Sequence, residues 1–89
     1  MYQKTRDLEK VRKWIEAHQA QPAVIKDTDI LKLQFSQSRY AHYNPVDELE
    51  PVNWHTFCDY FKQLNMLFLY ETNQKSAFYK FILDPQHYQ

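Results

Sequence analysis

Glycine is absent from the chain, and its absence removes whole classes of chemistry. Walker-type phosphate loops, dinucleotide-binding fingerprints and the nucleophile elbow of hydrolases need backbone positions that only glycine fills without strain. Enzymes of those classes are excluded. Cysteine is nearly as scarce. The single Cys58 closes no internal disulfide, which points to a reducing, cytoplasmic setting. The N-terminus lacks the apolar core of a signal peptide, and no run approaches the roughly 20 apolar residues of a membrane span. Net charge is missing too. Lys plus Arg equal Asp plus Glu at 11 each, so no overall field draws the protein to nucleic acid or to an anionic membrane. The signs are unevenly spread, however: residues 1–44 hold eight basic and five acidic side chains, residues 45–89 three and six.

What the chain does have is aromatic side chains, 17 % of its 89 residues. A domain this small buries only roughly 60–65 % of its unfolded surface, so its core must be dense. Each aromatic ring contributes roughly 150–250 Å² to that core.

The stretch from Glu50 to Glu71 organises the rest. Trp54, Phe57, Phe61 and Leu64 recur on one helical face with Cys58 beside them, and Met66 to Tyr70 is an unbroken apolar run of strand length. Asn53 is the expected N-cap, with Val52 and Phe57 at the staple positions. Asn65 is expected to close the helix, because asparagine tolerates the left-handed conformation used there.

Upstream, Leu8, Val11, Ile15 and His18 share a face with Trp14 flanking it, so the pattern predicts an amphipathic helix over about Thr5 to Gln19 that ends before Pro22. Thr5 is its expected cap. Ala23–Lys26 and Ile30–Phe35 read as a hairpin turning at Asp27-Thr28-Asp29. Ser36 to Glu50 shows no period and, at about 15 residues, is long for a connection in a compact domain. Met66–Glu71 and Ala77–Leu83 form a second hairpin, which Asp84-Pro85 stops. The expected architecture is α+β in αββαββ order, a single domain of units 4–35 and 51–83, loop 36–50 and tail 84–89. One four-stranded antiparallel sheet with both helices packed on one face is the simplest closure.

The runs Trp14-Ile15-Glu16, Pro22-Ala23-Val24, Leu49-Glu50-Pro51-Val52-Asn53-Trp54, Leu67-Phe68-Leu69-Tyr70 and Ser76-Ala77-Phe78-Tyr79-Lys80, with Phe57 and Phe61, resemble a family of short uncharacterised bacterial α+β proteins. The resemblance spans nearly the whole chain and implies no activity. Glycines usual in that family before the Pro-Ala pair and in the last hairpin are missing here, and Ala77 stands where the family tends to have arginine. Some members bear a glucan branching enzyme label. Such catalysis requires a barrel-sized scaffold and paired carboxylates flanking a sugar site.

Three candidate sites emerge. His55 and Cys58 lie three apart on one helix, but zinc needs at least a third protein ligand and a cysteine near an apolar stripe usually serves as a small hydrophobe. No metal, cofactor or catalytic residue is therefore expected, and His42, His55 and Cys58 are the only candidates for chemistry. Phe68, Tyr70, Phe78, Lys80 and Ile82 are expected to share an outer sheet face, an apolar patch that marks a partner or a self-association surface. Arg39-Tyr40-Ala41-His42-Tyr43 joins a cation to aromatic rings, as single-stranded nucleic acid platforms do; Lys10, Arg12 and Lys13 of the first helix, along with Lys4 and Arg6, would extend that surface. The expected function is a non-enzymatic protein-interaction module whose partner is another protein or a second copy, with a nucleic-acid-associated protein as the alternative.

Overall fold

A computed structural model of the chain describes residues 1–73 and 75–84. The order of elements is β1 (Tyr2–Thr5), α1 (Leu8–Ala17), β2 (Ala20–Ile25), β3 (Leu31–Phe35), a 3-10 helix (Ser38–Tyr43), β4 (Leu49–Pro51), α2 (Trp54–Gln63), β5 (Met66–Glu71) and β6 (Tyr79–Leu83). Each half of the chain is thus a βαββ unit. The first strand of each half leaves its own unit and pairs with the hairpin of the other. β1 lies antiparallel against β5, and β4 lies antiparallel against β2.

The α+β class and the two hairpins follow the sequence pattern, but the single four-stranded sheet does not form. Two three-stranded antiparallel sheets take its place, in the orders β1-β5-β6 and β3-β2-β4. The exchanged strands account for the difference. Tyr2-Gln3-Lys4-Thr5 carries no apolar alternation, and its partner Phe68–Glu71 lies more than sixty residues away. Its extended form is imposed by the edge of β5. The segment 36–50, expected to be one irregular loop, holds the 3-10 helix and begins β4. Residues 85–89, most of the expected tail, lie outside the described residues.

The helix starts show how local chemistry sets boundaries. α1 begins at Leu8 because Asp7, rather than Thr5, is the cap: the Asp7 carboxylate accepts the Glu9 N–H at 3.0 Å, while Thr5 Oγ1 accepts the Asp7 N–H one step earlier. Asn53 caps α2 as expected, its Oδ1 accepting the Thr56 N–H at 2.8 Å. Both caps satisfy N–H groups that the first helical turn leaves without an internal partner.

The chain has to make left-handed turns without glycine. Among the described residues, three carry positive φ: Gln19 at 52°, Asp27 at 63° and Asn65 at 50°. Gln19 and Asn65 occupy equivalent places in the two halves, each just after a helix and just before the first strand of a hairpin. Asparagine and aspartate tolerate this region; glutamine does so at a penalty of about 1–2 kcal/mol. Replacing Gln19 with glycine is therefore expected to stabilise the fold by roughly 1 kcal/mol, net of glycine's freer unfolded state. A thermal scan should register this as a rise of about 4 °C, and Asn65→Gly should gain less. A lower melting temperature for Gln19→Gly would show that any strain there is outweighed by glycine's freer unfolded state together with the lost Gln37–Gln19 hydrogen bond.

One cluster of buried side chains joins both sheets and both helices. Val11, Trp14 and Ile15 come from α1, Phe57 and Phe61 from α2, Leu31, Leu33 and Phe35 from β3, and Phe68 from β5. Trp14 is at its hub, with its ring within 6.4 Å of those of His18, Phe35, Phe68, Tyr70 and Tyr79. Its indole N–H donates to the Glu71 carbonyl at 3.3 Å. Both helices meet the same inner side of the β1-β5-β6 sheet, α1 through Trp14 on Phe68 and α2 through Phe57 and Phe61 on Phe81.

Candidate interaction surface

Register decides which side chains the β1-β5-β6 sheet turns outward. Phe68 pairs with Phe81 and Thr5, and Tyr70 with Tyr79 and Gln3. Directly opposed residues point to the same side of a sheet. Since Phe81 and Tyr79 pack into the core, Phe68 and Tyr70 go with them. Phe68 is fully buried. Tyr70 is half-buried, and its hydroxyl donates to Gln3 Oε1 at 3.1 Å. The expected surface must therefore be corrected: Phe68 and Tyr70 belong to the inner side, and only Phe78, Lys80 and Ile82 lie on the outer one.

The outer face is completed by residues the expected surface omitted. Tyr2 and Lys4 from β1 and Leu67, Leu69 and Glu71 from β5 alternate with the inner residues. Tyr2 is well exposed and its ring meets that of Phe78 edge-on at 5.3 Å. Leu67, Leu69, Phe78 and Ile82 remain partly accessible. Leu69 sits directly between Lys4 and Lys80 across the three strands. Glu71 accepts hydrogen bonds from the Met1 ammonium and the Asn73 N–H, and the ammonium contact holds its carboxyl below the usual carboxylate range.

The other sheet allows a comparison within the same molecule. It has the same three-strand, hairpin-plus-exchanged-strand build, and its outer side mixes Gln21, Lys32 and Gln34 with Ile25, Leu49, Pro51 and a fully buried Ala23.

The candidate nucleic acid contacts do not assemble into a stacking platform. Tyr40 is buried at 3 % exposure, so its ring is part of the core; the expectation that it would stack on bases is corrected by that burial. Tyr43 is half-buried with its hydroxyl 3.3 Å from Ser76 Oγ. Arg39 is exposed with its guanidinium 4.7 Å from the Tyr40 ring, and His42 is exposed beside Tyr43. On α1, Lys10 and Lys13 are exposed, whereas Arg12 reaches over the Trp54 ring at 5.2 Å and pairs with Glu16.

His55 is exposed and pairs with Asp59 on the next helical turn. Cys58 is half-buried at the edge of the core, where burial raises its thiol pKa. Among the described residues, no three His, Cys, Asp or Glu side chains come together as a metal site. Nor is any described helix long and apolar enough to cross a membrane.

Two features were not anticipated. His18, expected only as a member of the apolar face of α1, is buried against Trp14 with ring nitrogens 2.8 Å from the Trp14 carbonyl and 2.9 Å from the Ser76 carbonyl. It ties the end of α1 to the segment before β6. The second is a groove of about 660 Å³ between β3 and β6, walled by Ile30, Leu31, Met66, Phe78, Phe81 and Leu83. Those walls come from distant parts of the chain, so no local pattern announces it. The chain gives no match to any family model, to the curated proteins or to the solved structures.

Proposed function

We infer that this chain is a non-enzymatic protein-interaction module that docks through the outer face of the β1-β5-β6 sheet, with a second copy of itself as partner. The observation that carries this reading is the apolar content of that outer face. The β1-β5-β6 sheet gathers Tyr2, Leu67, Leu69, Phe78 and Ile82 there, whereas the outer side of the other sheet mixes Gln21, Lys32 and Gln34 with Ile25, Leu49 and Pro51. Both helices pack on the inner side of that sheet and leave the apolar side to water. Contiguous exposed apolar patches of this kind mark association surfaces.

Charge placement fits a twofold pairing of the face with itself. Lys4 and Lys80 flank Leu69 in one row, and Glu71 stands between Tyr2 and Phe78 in the next. A twofold axis along the interface between those rows sets Glu71 of one copy between the two lysines of the other. Such a contact is isologous, the usual form of a closed dimer.

Sedimentation equilibrium over a concentration series tests it. The wild-type chain is expected to dimerise with a dissociation constant on the order of micromolar. Leu69→Glu should weaken the dimer at least tenfold while leaving the monomer folded, because the new carboxylate lies between two lysines of its own sheet. A wild-type chain that stays monomeric at hundreds of micromolar overturns the reading.

A further inference from the structure

The groove between β3 and β6 is bounded by the outer strands of both sheets, and hydrogen-bond parity shows which backbone groups face it. On β6, Glu71 N–H meets the Phe78 carbonyl at 3.1 Å and Asp84 N–H meets the Asn65 carbonyl at 2.9 Å. Residues 78, 80, 82 and 84 therefore bond to β5, and the N–H and C=O groups of Tyr79, Phe81 and Leu83 turn outward. On β3, the bond from Ile25 N–H to the Ile30 carbonyl sets the same alternation, which turns Leu31, Leu33 and Phe35 outward.

Two of these outward positions are closed by side chains that imitate a neighbouring strand. The Asn44 amide accepts the Phe35 N–H at 2.7 Å and donates to its carbonyl at 3.0 Å. The Tyr79 hydroxyl does the same at Leu33, accepting from its N–H at 2.9 Å. Beyond that clamp the groove opens. There, among the described residues, no turn, loop or side-chain hydrogen bond meets the outward groups of Phe81 and Leu83 on the β6 wall. An exposed run of such groups is a template for a further strand.

Charge indicates the kind of strand. Lys32, His42 and Lys80 line the groove, and Asp29 is the one carboxylate among the lining residues. Lys80 lies on the outer face of the edge strand itself, beside the positions where a neighbouring strand would turn every second side chain.

Resting on the interaction-module reading, we propose that this groove takes an extended acidic peptide segment of a partner protein, added as a strand to the free edge of β6. Its backbone pairs with Phe81 and Leu83. Apolar side chains on one side enter among Leu31, Met66 and Phe81, and carboxylates on the other side meet Lys80, with Lys32 across the groove. Main-chain bonds supply affinity in such strand addition, and alternate side chains supply selectivity.

The test uses three labelled heptapeptides read by fluorescence anisotropy: one alternating valine with glutamate, its counterpart with lysine for glutamate, and the glutamate peptide N-methylated at the backbone amides facing β6. The glutamate peptide is expected to bind, and the other two at least tenfold more weakly. Lys80→Glu should reverse the preference between glutamate and lysine peptides. Leu83→Pro removes an outward N–H without touching the bonds to β5, and should weaken the glutamate peptide at least fivefold. If Leu83→Pro fails to fold, the methylated peptide carries the same comparison on the wild-type chain.

Equal binding of methylated and unmethylated peptides overturns the proposal, as does binding of none of them at millimolar concentration. Binding of octanoate when the peptides fail would make the groove a site for small amphiphilic carboxylates. Dimer loss in Leu83→Pro without peptide binding would assign the edge to a second copy. Either result overturns the peptide proposal. Should the peptides fail while Leu69→Glu still dissociates the dimer, the groove proposal falls and the interaction module stands.

Discussion

Replacing Phe68 with alanine is expected to destabilise the protein by about 3–5 kcal/mol, enough to leave an 89-residue domain close to unfolding at 37 °C. The size of the effect follows from position. Phe68 is fully buried on the middle strand of its sheet. Its ring lies 5.2 Å from that of Trp14, 5.3 Å from Phe81, 5.5 Å from Tyr70 and 6.2 Å from Tyr79. Truncation removes transfer free energy and opens a cavity ringed by stiff aromatic groups that collapse poorly. Its sequence neighbour Leu69 points the other way. Leu69→Ala should lose less than about 1 kcal/mol, since a half-exposed surface position leaves no buried void. Urea denaturation of both variants reads the contrast. Comparable losses at the two positions would mean that the register of β5 differs from the one described.

The second large effect is at Tyr79, whose hydroxyl joins the two sheets. It accepts the Leu33 N–H at 2.9 Å and lies 3.4 Å from the Leu33 carbonyl, to which it donates. Leu33 itself is fully buried. Tyr79→Phe keeps the ring and removes both contacts, leaving a backbone donor without its acceptor. That should lower stability by about 1–3 kcal/mol.

The loss should also depend on pH. Burial raises the phenol pKa of Tyr79 above its ordinary value near 10, outweighing the opposing contribution of its hydrogen bond with Leu33. A group whose pKa is raised on folding contributes stability that is fully present below its unfolded pKa and lost as pH rises through the folded one. The wild type should therefore weaken faster than Tyr79→Phe above about pH 10, and the gap between them should narrow. Denaturation midpoints at pH 8 and pH 11 measure it. A gap that widens on going alkaline would contradict the burial of this hydroxyl.

Much of the architecture was legible because it rests on short-range chemistry. α2 was visible as a capped amphipathic segment, since Asn53, Phe57 and Phe61 lie within three turns of one another. The strand Met66–Glu71 was visible from the apolar run Met66 to Tyr70 that follows Asn65. The same run carried a further message. A strand apolar at every position has two apolar faces, and only one of them can line the core of a single sheet covered by helices on one side. The outer patch was therefore foreshadowed at Leu67 and Leu69. Phe68 and Tyr70 do not belong to it, because side chains alternate and nothing within β5 says which set points inward. Tyr40 was misread for a related reason: an aromatic residue in an aperiodic segment looks exposed until a 3-10 turn folds it onto His18 and Phe35.

By itself, the sequence determined the Asn53 cap of α2, the two hairpins and the aromatic core, because each depends on residue type and on spacings of a few positions. Only the tertiary structure decided that β1 and β4 exchange between the halves, that two sheets form rather than one, and that the edges of β3 and β6 frame a groove. Those outcomes depend on pairings such as Lys4 with Leu69 and of Leu33 with Tyr79. The free energy of such contacts comes from desolvation and backbone hydrogen bonds between segments distant in the chain, and no local period encodes which distant segment will supply them.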